Sequence, residues 1–356
     1  MRSRLAALFV ATLAVAACSG GGDGAADTTA TSSSGPTTVP DTTLPPDTTE
    51  AATSTTEVAG PVYPLTGLPV TDQAAAARPA LVVKIDNNKA ARPQSGLNEA
   101  DIVVEEIVEV QTRFAAIFHS QGSDPVGPIR SGRTQDIDLL GSFNKPLFAW
   151  SGGNRNVTRA IENSDLVSLS AQRNSVYQGG GFFRSNDRKS PHNLYAQSSK
   201  LWTLAPDGAG PPPQQFTYRA ADAAPQGDRM SGVDGDMDGL AVAWRYDATT
   251  GEYARSSAGE PHMDATSGRQ ITTANVVVMT VVYRPSPADR RSPEAQTIGS
   301  GAVSVLTNGT IVTGTWTRTD RLSPIVLTTA DGAPISLTPG RTFVELARKG
   351  TFTPVP

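Results

Sequence analysis

An α+β fold is predicted for this chain, α/β-like with a mixed sheet in the N-terminal half and mostly antiparallel β in the C-terminal half. Three observations predict it. Between residues 80 and 162, β-branched apolar runs are interleaved with segments of helical spacing. From Leu240 onward, short alternating runs recur between turns. Composition changes sharply near Pro61, so of the 356 residues only those after it carry the apolar side chains a core needs, enough for two ordinary domains.

Arg2 and Arg4 give a basic start, Leu5 to Ala16 an apolar run, and Val15-Ala16-Ala17-Cys18 a small-residue site ending in the sole cysteine. The run is too short for an ordinary spanning helix. It resembles the bacterial lipoprotein signal, which implies cleavage and acylation of Cys18, with palmitate among the acyl groups. Residues 1–18 are therefore read as signal peptide. Residues 19–60, almost free of large apolar side chains, are read as a disordered Thr/Ser/Pro/Gly tether, because nothing in them offsets the entropy of ordering. An N-terminal α/β domain is expected over 61–206, a Gly/Pro-rich linker over 207–214 and a β-rich domain over 215–356. The net charge of −4, with no basic tail, excludes nucleic acid as an expected partner. One cysteine excludes an internal disulfide and a Cys-based zinc site.

In the first folded half, Ala80 to Asp86 reads as a buried strand, and Asp101 to Val110 as a longer one unusually rich in carboxylates. Glu106 falls on the face of Ile102 and Val104; Glu105 and Glu109 fall on the other. Thr112 to His119 forms a third strand, from which Arg113 would reach Glu105 or Glu109 across the pair. Gly127-Pro128-Ile129-Arg130-Ser131-Gly132-Arg133 follows. Two guanidinium forks, Arg130 and Arg133, held by glycine and proline suit carboxylate or phosphate oxygens. Gln135 to Phe143 has helical spacing, Pro146 to Trp150 reads as a buried strand, and Ser151-Gly152-Gly153-Asn154 precedes a helix from Arg155 to Glu162. That junction reads first as a simple tight turn, and second as a place where backbone N–H groups can meet an anion. A second polar cluster holds Arg184, Arg188, Lys189, His192 and Asn193, with His192 a candidate proton acceptor or structural hydrogen bonder.

In the second half, Asp234 to Gly239 resembles the start of a calcium loop, but Arg245 stands where the twelfth-position acid belongs, so an acidic turn is expected. Strands are expected over Leu240–Tyr246, Glu252–Arg255, Val276–Tyr283, Ala302–Thr307, Ile311–Thr319, Ile325–Thr329 and Thr342–Leu346, as a small barrel or sandwich. Asn308-Gly309 is a two-residue hairpin signal. Trp244 and Trp316 are expected in the core, and His262 is given no role. His119, His192 and His262 lie too far apart in sequence for a zinc motif, so neither metal nor cofactor is expected.

Several stretches together resemble the YerB-like lipoproteins: Arg92-Pro93-Gln94-Ser95-Gly96-Leu97, Asp101 with Glu105, Thr112-Arg113, the Gly127 to Arg133 loop, and Arg188-Lys189-Ser190-Pro191-His192-Asn193. The resemblance runs from about Pro64 to the C-terminus and implies an envelope lipoprotein with a two-part domain to which no chemistry is attached. Val110-Gln111 departs from it, standing where a glycine pair is usual. The order strand, strand, Pro-Ile-Arg loop, helix, strand also looks like that of the LytR-CpsA-Psr phosphotransferases, without their arginine and aspartate signature.

The candidate ligand-binding residues are thus Arg92, Asp101, Glu105, Arg113, Arg130, Arg133, Arg188, His192 and Asn193. The expected function is that of an extracytoplasmic, membrane-anchored binding or accessory protein with an arginine-rich anion pocket. Expected partners are the membrane through Cys18, an anionic glycan or lipid-linked phosphate, and other envelope proteins. The alternative is a phosphotransferase or hydrolase on such a substrate, with the arginines stabilising charge and Asp101 or Glu105 as base or metal ligand.

Overall fold

A computed structural model describes residues 60–220 and 222–356. The signal, Cys18 and residues 19–59 of the tether lie outside the described residues.

The main sheet is built from β1 (Leu81–Asp86), β2 (Ile102–Val108), β3 (Gln111–Phe118), β4 (Leu147–Trp150), β5 (Val167–Ser170), β6 (Asn275–Thr280), β7 (Gly299–Thr307), β8 (Thr310–Arg318), β9 (Val326–Thr328) and β10 (Thr342–Ala347). Their spatial order is β9-β8-β7-β6-β10-β2-β3-β1-β4-β5. β1, β2, β4, β5, β6 and β10 run in one direction, while β3 returns antiparallel between β2 and β1. The central strands are buried on both faces, which explains their near-continuous apolar runs. One face packs Val82, Val104, Ile117 and Trp150 under Val157 and Ile161 of helix α1 (Arg155–Glu162). Asn154 caps that helix, accepting from the N–H groups of Asn156 and Val157 at 2.9 Å each.

The opposite face is covered by a second, antiparallel sheet of β11 (Gly232–Asp236), β12 (Ala241–Asp247), β13 (Glu252–Ser257) and β14 (Phe352–Val355), with Glu260–Pro261 at its edge. Trp244 and Tyr253 from this sheet meet Phe114 and Phe343 from the main one. The Trp244 ring packs tilted against Phe343 at 4.8 Å between centroids, and Trp316 is buried on the other face, so both tryptophans are core.

The mixed sheet in the first half and antiparallel pairing in much of the second make this an α+β protein. The halves nevertheless share one sheet. β10, from the C-terminal half, pairs in parallel with β2 from Ile102↔Thr342 to Glu105↔Glu345, so the linker expected at 207–214 divides the sequence and not the sheet. The expected small barrel or sandwich is therefore two structures: an extension of the main sheet and a sheet laid over it. Asp234 to Gly239 is also corrected, since Asp234–Asp236 belongs to β11, and the reversal follows at Met237-Asp238-Gly239.

Candidate functional site

The parallel strands β1, β2 and β4 end at one edge of the sheet, where ligands of open α/β sheets usually bind. On β1, alternation turns Lys84 and Asp86 to the same face as Glu106 of β2 and Arg113 of β3, which stand opposite one another. The arginine loop then adds itself beside β1 where β4 has ended. Asp86 N–H donates to Pro128 O at 2.9 Å and Arg130 N–H to Lys84 O at 2.8 Å. Ser151 N–H donates to Arg130 O at 3.0 Å, and Ile129 N–H to Leu194 O at 2.6 Å. Glycine and proline around Arg130 thus serve a loop whose backbone is tied to three neighbouring segments.

Asp86 is the hub. One oxygen lies 2.7 Å from His192 Nδ1 and 3.2 Å from Arg130 Nε; the other accepts from Asn88 N–H at 3.0 Å. Arg133 grips Glu109 with two parallel bonds of 3.0 and 2.8 Å. Arg113 donates to Ser131 O at 2.8 Å. Burial, then the nearby Arg133 guanidinium, pushes Arg113 down to about 9. Lys84 touches Glu106 and bonds Asp136 at 2.7 Å; its burial, opposed by Asp136, pushes it down to about 8. Lys84, Arg113, Arg130 and Arg133 therefore face Asp86, Glu106, Glu109 and Asp136, and most of the positive charge is matched internally. Two groups remain directed outward. Neither terminal nitrogen of Arg130 is hydrogen-bonded among the described residues, and His192 engages only through Nδ1. A cavity of about 230 Å³ lies between Ser131, Arg133 and the Gly153-Asn154 start of α1, with Asp289 on its wall; Arg130 and His192 are not among its lining residues.

The structure brings Arg113, Arg130, Arg133 and His192 together and separates the others. Glu105 stands opposite Phe114, not Arg113, and points to the far face of the sheet, where it accepts from Asn87 at 3.0 Å and from Arg255 at 2.5 Å. Asp101 sits at the other end of β2, accepting from the N–H groups of His119 and Ser120 at 2.6 and 2.7 Å, and burial pushes it up to about 6. Neither carboxylate can serve these arginines as base or shared metal ligand, which corrects that expectation. Arg92 folds onto Asn87 at 3.0 Å, and Arg188 onto the carbonyl oxygens of Ala91 and Pro93. Asn193 braces its own loop, accepting from Arg184 at 2.8 Å and donating to Ser185 O at 2.9 Å.

Sequence reasoning missed Lys84, Asp86 and Asp136. The signal for the first two was present: two charges at alternate positions of an otherwise apolar strand. It also missed Arg255, which donates to Glu105 and Glu345, and His262, whose ring bridges Arg255 at 3.1 Å and Gln94 at 2.8 Å. Burial, then the Arg255 and Arg92 guanidinium groups, holds His262 well below its usual range.

Comparison with known proteins matches two stretches of this chain to one family. Residues 65–210 match the family described as "Protein of unknown function (DUF3048) N-terminal domain", and residues 234–344 match its C-terminal counterpart. The chain belongs to this family. Among the family's relatives, the Bacillus subtilis (strain 168) protein named "Putative lipoprotein YerB" is 28% identical over 292 residues, covering 80% of this chain and 85% of that protein. The crystal structure of YerB from Bacillus subtilis superposes with a TM-score of 0.71 at 25% identity, covering 82% of this chain and 99% of that one. At the β2–β3 turn of this chain, Val110 stands 91% exposed.

Proposed function

We propose that this protein is an extracytoplasmic lipoprotein, anchored to the cell membrane through Cys18, that binds an anionic group at the Asp86–Arg130–His192 edge without transforming it. The name of the Bacillus subtilis relative and the sequence around Cys18 support the anchor. The observation that carries the site is Arg130: its Nε faces Asp86 at 3.2 Å, while both terminal nitrogens are left to an acceptor with two adjacent oxygens, such as a carboxylate or phosphate. An acidic glycan, a lipid-linked phosphate or a partner's carboxylate all present that acceptor. The internal pairing of Lys84, Arg113 and Arg133 keeps the pocket rigid and limits its attraction for anions in general.

Titration calorimetry with inorganic pyrophosphate and with a glucuronate oligosaccharide tests this reading. Arg130→Ala is expected to weaken binding at least about tenfold, the loss of one charged hydrogen-bonding group, with little change in thermal stability. Equal affinity in the variant would remove the site. The Asp86–His192 contact of 2.7 Å favours a second reading, hydrolysis or phosphoryl transfer with His192 as base. Phosphate released from pyrophosphate, and abolished by His192→Ala, would decide for it.

A further inference from the structure

A second cavity lies elsewhere. A cleft of about 690 Å³ opens between the second sheet and the main-sheet loops Asn87–Pro93 and Val110–Thr112. That volume falls within the roughly 300–1,000 Å³ of small-ligand sites. We propose that this cleft is a second binding site and that it takes a short zwitterionic peptide with apolar side chains.

Three observations support the choice. Apolar side chains line its walls: Val110 at the tip of the β2–β3 hairpin and Met263 are exposed, and Leu240 is half-buried. Methionine adapts to varied side-chain shapes, and an isolated, nearly fully exposed valine gains from any apolar neighbour. Ser257, also lining the cleft, is only 4% exposed, yet its Oγ has no hydrogen-bond partner among the described residues. A buried hydroxyl without a partner is an exception that a ligand's amide group would resolve. The exposed charges of the two walls are opposite in sign, Lys89 on the main-sheet side and Glu260 on the second-sheet side. The other charged lining groups are occupied, Arg92 by Asn87 and Asp238 by Arg348 at 3.0 Å. A free carboxylate and a free ammonium at the two ends of one small molecule match Lys89 and Glu260 together, which a fatty acyl chain or a simple anion does not.

The full chain titrated with the tripeptide Leu-Ala-Leu, termini free, tests the proposal. Saturable binding is expected, weakened at least about tenfold by Val110→Asp and by capping both termini, and unchanged by Arg130→Ala. Val110 is exposed, so its variant keeps the fold, which circular dichroism checks. Absence of saturable binding, equal affinity in Val110→Asp, or equal affinity of the capped peptide would overturn the proposal. So would binding of dodecanoate in place of the peptide. The Arg130→Ala arm keeps this site's failure distinct from failure of the anion site.

Discussion

Arg255 carries its two terminal nitrogens to carboxylates on different strands, Glu105 at 2.5 Å and Glu345 at 2.6 Å, with all three side chains fully buried. Two carboxylates share one guanidinium. Burial, then the Glu105 charge, pushes Glu345 up, so it holds a proton that the unfolded chain releases above its ordinary value of 4.5. Its contribution to stability therefore declines as pH rises past that value. Arg255→Met is expected to cost about 3–5 kcal/mol, because it leaves two buried acids without a cation. Urea unfolding measures this, and the decline with rising pH should steepen. Adding Glu105→Gln and Glu345→Gln should recover much of the loss; a near-neutral single variant would mean the triad is not closed. None of this was visible from sequence: Glu345 lay in an ordinary strand, and Arg255 was the last residue of one.

At the scale of elements, turn chemistry was the most readable signal. Asn308 and Gly309 adopt φ of 48° and 73°, the left-handed pair that a two-residue hairpin requires, and they join β7 to β8 at Thr307↔Thr310. Asn308→Val should cost about 1–2 kcal/mol, since a β-branched side chain clashes in that region. Differential calorimetry checks it, and an unchanged melting temperature would show that the turn relaxes freely. Helix α1 over Arg155–Glu162 was also legible, expected after the Gly152-Gly153 turn that follows the β4 run. β5, β11 and β14 were not. Each is short or polar, and Gly232–Asp236 is a strand because β12 and β14 flank it. The register of β2 and β3 was within reach and was missed. A two-residue turn at Glu109-Val110 places Arg113 opposite Glu106, but reading β2 through Val110 hid that turn.

For the whole molecule, the continuous sheet means that neither half completes its own core. A fragment of residues 61–206 lacks β10 and leaves one edge of β2 unpaired; it also lacks Arg255, leaving Glu105 buried without its cation. Such a fragment is expected to be unfolded or aggregated, while the full chain melts in one transition. A dispersed amide spectrum from the fragment would contradict this. Asp86, Arg130 and His192 all come from the first half, whereas the small cavity takes Asp289 from the second half and the cleft takes its walls from both.

The sequence by itself determined the short apolar run that ends near Cys18, the sparse composition before Pro61, the strand-rich α+β character and the Gly/Pro-bracketed loop bearing Arg130 and Arg133. These are local properties, written in apolar length, turn residues and periodicity. Only the tertiary structure decided which charges meet. Strand side chains alternate between faces, so Glu105 and Glu106, neighbours in sequence, lie on opposite sides of the sheet. Pairing and overlying layers then give one to Arg255 and the other to Lys84.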